Sequence, residues 1–220
     1  MMGLGKRHDR LQYSQDREKF QNTFGPSSFF LEKLDLFSDL LLKWQNKTNL
    51  ISNSTVNILW ERHFLDSAQL CLQIDLNKKT LVDLGSGAGF PGLVLAVMFL
   101  EFGGPKVHLI ESNKRKTVFL TEASQLLGVD IKIHNARIES ILNLKGDFIT
   151  ARALAPLNRL VSLSQRFLSS DTVCLFLKGK KFKEELGQAR KYWRMRVEEI
   201  SSITSPNSRI LKISEIYPVA

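Results

Sequence analysis

Three glycines within five residues carry the first chemical signal. Gly85, Gly87 and Gly89 stand in the run Asp83-Leu84-Gly85-Ser86-Gly87-Ala88-Gly89-Phe90-Pro91-Gly92. Glycines so spaced tolerate positive φ and let a ligand approach the backbone closely. The stretch also satisfies a dinucleotide fingerprint, Gly87-x-Gly89-x-x-Gly92, a weak pattern by itself. Asp83 argues for a different use. An acid just before the first glycine repels a pyrophosphate on the helix N-terminus and suits a cationic ligand. Glu111 ends the next strand pattern, where a carboxylate accepts hydrogen bonds from both ribose hydroxyls. Nicotinamide dinucleotide and S-adenosylmethionine sites share that role. The residues therefore read as an adenosine site, with the choice between the two open.

Arg152 falls at the C-terminal end of a strand pattern, where open α/β sheets bind ligands. Its planar guanidinium suits a base edge, a phosphate or a carboxylate. The plainer reading is a solvent-facing arginine. His63 and Asp66 are three apart on an expected helix and share a face, as a buried pair or as a wall of the site. Arg137 and Glu139 follow the third strand, as an ion pair at a helix start or as neighbours of the adenine. Trp44 reads as core before stacking platform. Cys71 and Cys174, the only cysteines, also read as core. So far apart they form neither a disulfide framework nor a metal cluster, and no metal site is expected.

These residues need elements to position them. Phe30, Leu31, Leu34, Phe37, Leu41 and Trp44 recur at helical spacing, which predicts a helix over Phe29–Trp44 with Ser27 or Ser28 as N-cap. One or two further helices are expected over residues 54–73, and no strand in the first third. From Thr80 the pattern alternates. Strands are expected at Thr80–Leu84, Lys106–Glu111, Ile131–His134, Asp147–Thr150 and Thr172–Leu177. Helices are expected from Pro91, over Asn113–Leu127, near Leu157–Leu168 and over Phe182–Trp193. Val197–Ile203 and Arg209–Ile216 read as a terminal β-pair. Strands alternating with helices imply an α/β fold, a parallel sheet covered on both faces, with an antiparallel strand at its end. Residues 1–76 are expected to form a polar arm and helical cap, and 77–220 the ligand-binding domain, in one compact unit.

The chain has 220 residues and a net charge of +9, from 31 Lys+Arg against 22 Asp+Glu. Such a surplus points to a polyanionic partner, most often nucleic acid. Eight basic residues between Lys178 and Arg196, against Glu184 and Glu185, hold +6 of it. Lys178, Lys180 and Lys181 lead this segment, Tyr192 and Trp193 interleave, and it reads as a phosphate-tracking surface beside the site. Lys114, Arg115 and Lys116 form a second cluster just past Glu111. The longest apolar run, Phe90–Leu100, is too short to span a bilayer. A basic N-terminus without a following apolar stretch is no secretory signal. A cytoplasmic protein without membrane contact is expected, and a monomer.

Several segments together resemble one family, the ribosomal RNA small subunit methyltransferase G (RsmG/GidB) family. They are Trp44-x-x-x-x-Asn49-Leu50, Arg62-His63-x-x-Asp66-Ser67, Asp83 to Gly92, Glu111-Ser112-x-Lys114-Arg115-Lys116-x-x-Phe119-Leu120, Ala136-Arg137-Ile138-Glu139, Ala151-Arg152-Ala153 and Leu177-Lys178-Gly179. They run in family order over residues 44–179. Thr48 and Ile51 depart from the pattern, where an aromatic residue and a threonine are usual. The resemblance implies a Rossmann-like seven-stranded, mostly parallel sheet with helices on both faces and an N-terminal helical cap. It implies methylation of guanine N7 in a decoding-region loop of 16S rRNA, with S-adenosylmethionine as donor and S-adenosylhomocysteine as product. The partner would be 16S rRNA, the small ribosomal subunit or its assembly intermediate. By motif position, Gly85, Phe90, Ile138, Glu139 and Arg152 would contact the cofactor.

Guanine N7 carries a lone pair and no proton, so its methylation needs alignment and no general base. Cys174 lies inside an apolar strand run and does not read as the nucleophile of a pyrimidine-C5 methyltransferase. Arg152 stands where amine methyltransferases commonly carry an Asn/Asp-Pro-Pro-aromatic turn, and argues against that chemistry. Arg152→Ala is expected to fold normally and lose most activity. A small-molecule methyltransferase is the alternative, disfavoured by the basic segment. A nicotinamide oxidoreductase would want a Tyr-Lys pair or a hydride-handling His, and none is apparent. A non-catalytic RNA-binding module has no use for the glycine turn with Glu111.

Overall fold

A computed structural model describes residues 15–219, so the first fourteen residues of the expected arm lie outside the described residues. Residues 15–24 form helix α1. Its Phe20 is fully buried, 5.8 Å from the Phe30 ring and 5.6 Å from Trp60. Helix α2 (Ser28–Gln45) matches the apolar spacing, and Ser27 Oγ caps it by accepting from Phe30 N at 3.3 Å. Past its end, Gln45 Oε1 accepts from Leu50 N and Ile51 N, and this folds the following loop back.

Residues 53–73 depart from the expected α-helices. A 3₁₀ turn (Asn53–Ile58) leads to a π-helical turn (Trp60–Leu65), then α3 (Asp66–Ala68) and a second 3₁₀ turn (Gln69–Gln73). A widened turn is often found at functional sites. Here it keeps Trp60 and Phe64 in the core while His63 and Asp66 face the sheet end.

Strands β1 (Thr80–Leu84), β2 (Lys106–Glu111), β3 (Ile131–Asn135), β4 (Phe148–Arg152) and β5 (Val173–Lys178) are parallel. Strands β6 (Trp193–Ser201) and β7 (Arg209–Pro218) complete a seven-stranded sheet in the order β3-β2-β1-β4-β5-β7-β6. The last strand, β7, is inserted antiparallel between β5 and β6. The strand order reverses at β1, which pairs with both β2 and β4, so the binding crevice belongs at the ends of β1 and β4.

Helices α4 (Gly92–Phe102) and α5 (Lys114–Leu127) cover one face, and α6 (Leu157–Ser164) and α7 (Phe182–Ala189) the other. Asn113 Oδ1 caps α5, and Gly128 ends it in the left-handed region. The cap shares its core with the sheet: Phe37 stacks on Phe90 at 5.4 Å and on Phe119 at 6.2 Å. Trp44 leans on Phe119, and its Nε1 donates to Glu122. Helix α7 is shorter than expected. It stops at Ala189, and Trp193 opens β6 with its Nε1 bonded to Asn158.

Candidate active site

Leaving β1, the chain turns through Gly85 at φ +67° and Gly87 at φ +57°. A Cβ on Gly85 would stand 2.6 Å from Leu154 Cδ1 in the turn after β4, so glycine there lets two loops close on each other. Glu111, at the tip of β2, holds the turn from the side. Its Oε2 accepts from Gly87 N at 3.0 Å and its Oε1 from Asn113 N at 2.7 Å. Each oxygen retains lone-pair capacity for a hydroxyl.

Asp83 is not where a ligand-facing acid must be. Fully buried, its Oδ1 accepts from Thr150 Oγ1 at 2.8 Å and its Oδ2 from Gly92 N at 3.3 Å. Burial pushes its carboxyl up to about 6, against those hydrogen bonds. It ties β1 to β4 and to the start of α4, so it positions the turn and lines none of the clefts described here. Gly89 is also buried beneath the turn, with Leu93 against it.

Three clefts meet at Ala153, which carries φ +53° without being glycine. The first, about 380 Å³, is bordered by Gly87, Glu111, Ser112, Ile138 and Leu163. Its acid and its apolar wall fit the ribose and adenine of an adenosyl group. The second, about 370 Å³, lies under the cap among Ile51, Thr55, His63, Phe90 and Lys116. The third, about 350 Å³, lies between Arg62, Asp66, Leu154, Lys178 and Glu185. Arg152 borders the second and third. Ile138 is buried, while Arg137 and Glu139 are exposed. Glu139 pairs with Arg159, not with Arg137 as an ion pair at the helix start would have it.

Arg152 is far from a solvent-facing arginine. Its Nη1 donates to Arg62 O at 2.8 Å and its Nη2 to His63 Nδ1 at 2.7 Å, and Asp66 Oδ2 lies 3.6 Å away. The guanidinium carbon sits 5.0 Å over the Phe90 ring. Burial lowers its pKa and Asp66 opposes the shift. Five N–H donors exceed these uses, so some stay available to a ligand. Asp66 Oδ1 also accepts from Thr204 Oγ1 at 2.7 Å and from Gln69 Nε2 at 2.9 Å. Gln69 Oε1 accepts from Ile203 N at 3.0 Å. Cap, sheet end and the β6–β7 connection thus converge on Arg152. His63 and Asp66 are both buried, and each lines a cleft, His63 the second and Asp66 the third.

Burial pushes the Cys174 thiol up to about 12, which removes it as a nucleophile at neutral pH. Cys71 is partly buried and packs against the main core, as the core reading expects.

The basic residues divide. Lys114 and Arg115 are exposed at the start of α5, and Lys116 borders the first and second clefts. Lys180 and Lys181 are exposed beyond β5. Lys178 is not a free cation, as its Nζ donates to Ala155 O at 3.0 Å and pairs with Glu185. The segment from Lys178 to Arg196 is not one surface either. Arg209 pairs with Lys178 at the site end of the sheet, and Trp193 pairs with Pro218 at the other. Helix α7 and the start of β6 therefore carry Arg190, Lys191, Arg194 and Arg196 away from the clefts, and Arg196 is paired with Glu215. Sequence reading passed over Ala153, Thr55, Arg159 and Glu185 as site residues. Nothing local marks Thr55, Arg159 and Glu185, because only the fold brings them to the crevice, whereas Ala153 stands inside the Ala151-Arg152-Ala153 motif.

A sheet in this strand order, with its last strand inverted, is the frame of the Rossmann-like methyltransferases. The fold is shared with ribosomal protein L11 methylase from Lactobacillus delbrueckii subsp. bulgaricus, at TM-score 0.54 and 21% identity over 67% of this chain and 76% of that one. It is shared too with a mutant of MtNAS solved in complex with S-adenosylmethionine, at TM-score 0.57 and 14% identity over 90% and 82%. The fold is thus that of the Rossmann-like methyltransferases. Within it, the chain belongs to the family described as rRNA small subunit methyltransferase G, or GidB, whose model matches residues 30–213. Two relatives named ribosomal RNA small subunit methyltransferase G are similar to it over 199 residues. The one from Rhodospirillum centenum is 47% identical over 90% of both chains. The one from Paramagnetospirillum magneticum is 45% identical over 90% of this chain and 95% of its own.

Proposed function

We propose that this protein methylates N7 of a guanine in a decoding-region loop of 16S rRNA, as a monomer in the cytoplasm. The observation that carries this reading is the junction at Ala153. There a cleft fitted to an adenosyl group opens beside two others edged by Arg152. S-adenosylmethionine, when bound, supplies a methyl on a sulfonium, and the N7 lone pair takes it as the carbon–sulfur pair returns to sulfur.

The chain's own residues have to bind, orient and exclude water. Glu111 accepts from the ribose hydroxyls, Ile138 packs against the adenine, and Gly85 and Phe90 border the methionine end. Arg152 turns its spare donors to the methionine carboxylate. Lys114, Arg115, Lys180 and Lys181 track phosphates at the rim. No helix among the described residues is long and apolar enough to cross a membrane.

The test is transfer from methyl-labelled S-adenosylmethionine to 16S rRNA or small subunits lacking the modification, followed by digestion to nucleosides. Label in 7-methylguanosine is expected. Cofactor binding without labelled RNA would sink the reading in favour of a small-molecule methyltransferase.

A further inference from the structure

The third cleft holds a carboxylate that the transfer itself does not explain. Glu185 Oε2 accepts from Leu157 N at 2.8 Å and pairs with Lys178. Its Oε1 makes no hydrogen bond among the described residues, and Glu185 borders the cleft. Arg152 and Ala153 line the same cleft, and Ala153 borders the adenosyl cleft as well. The cleft thus adjoins the place proposed for the transferable methyl and holds a partly satisfied acid.

Guanine fits that pairing. Its N7 and O6 lie on one edge and accept; N1–H and N2–H₂ lie on the adjacent edge and donate. With N7 turned to the junction, the donor edge is turned to the side and is free to face Glu185 within the same cleft. Adenine presents N1 as an acceptor there and would face the carboxylate with a lone pair. A carboxylate opposite N1–H has a second effect. Methylation leaves positive charge on the ring and makes N1–H a stronger donor, so the bond tightens as the charge develops. Arg62, Arg152 and Lys178 line the same cleft and would oppose that charge, so the two carboxylates there, Glu185 and Asp66, are the groups that can offset it.

We infer that Glu185 is the guanine-specificity residue of this enzyme, accepting from N1–H and N2–H₂ of the target base in the cleft between Lys178 and Ala153. The inference rests on the proposed rRNA guanine activity, and its test separates the two. The probe is one rRNA fragment with guanosine, and the same fragment with inosine, at the target position. Inosine lacks only the 2-amino group. Transfer rates to each are divided by their rates with dimethyl sulfate, to remove the intrinsic difference at N7. No transfer to guanosine at all defeats the proposed function itself. With transfer present, the wild-type protein should prefer guanosine roughly tenfold or more. Glu185→Gln should bring that preference to within about twofold, whatever its overall rate. A Glu185 with only a structural role would lower both rates and leave the ratio unchanged, which overturns the inference. Should Glu185→Gln fail to fold, the wild-type ratio decides, since equal use of inosine and guanosine overturns it equally.

Discussion

Arg152 Nη2 donates to His63 Nδ1 at 2.7 Å, and this one bond fixes the imidazole tautomer. A guanidinium only donates, so Nδ1 accepts and Nε2 carries the proton toward Thr55 Oγ1 at 2.8 Å. Thr55 donates in turn to Ser52 O at 2.8 Å. The cation at the end of β4 thereby orients the loop over the second cleft.

That arrangement makes His63 a source of acid sensitivity. Burial, then the charges of Arg152 and Arg62, hold its pKa down at about 3, against 6.5 when unperturbed. Between those values the unfolded chain binds the proton and the folded one does not. Stability from His63 is therefore complete above about pH 6.5 and is lost as pH falls toward 3, at about 1.4 kcal/mol per pH unit. Urea unfolding at pH 7, 6 and 5 should show a shallower pH dependence in His63→Gln by about that slope. Equal slopes in the two proteins would contradict it.

Arg152→Ala should not fold as well as the wild type, contrary to the expectation from sequence. The change leaves the Asp66 carboxylate, 4% exposed, without its cation. A cost of about 3–5 kcal/mol is expected, read from the denaturant midpoint. Arg152→Lys keeps the charge and loses the fork, so it should be milder in stability while transfer falls roughly 100-fold or more.

Glu111→Gln should leave the far-ultraviolet spectrum unchanged and weaken S-adenosylhomocysteine binding by roughly tenfold or more, by titration calorimetry. Undiminished affinity would remove Glu111 from the ribose.

The divided basic segment predicts an asymmetry. Reversing Lys180 and Lys181 should weaken rRNA binding and flatten its salt dependence, because each phosphate contact releases a counterion. Reversing Arg190 and Arg194, at the far end of the sheet, should do much less. Equal effects would mean that RNA also follows the edge of β6.

Regular elements were legible where one face is apolar. The Lys106–Glu111 strand has the expected bounds, and α2 and α5 agree to within a residue at each end. Spacing did not reveal the π turn at Trp60–Leu65, where Trp60, His63, Phe64 and Leu65 are all buried and no single apolar face marks the period. Residue type at the site was legible and direction was not. Asp83 reads as a ligand-facing acid until Thr150 and Gly92 are seen to occupy it, and Lys178 as an RNA contact until Glu185 is. Charge summed along a sequence also ignores where the chain reverses, as it does after Ala189.

The insertion of β7 between β5 and β6 sets an order of events during synthesis. β6 leaves the ribosome before β7, yet among the described residues its only partner in the sheet is β7. Until that last strand arrives, β6 has no ladder to join, and the Ser202–Thr204 loop has no fixed place against Gln69 and Asp66. The support behind Arg152 thus waits on β7. A nascent chain can hold its complete glycine turn and Glu111 while the wall behind Arg152 still lacks that support.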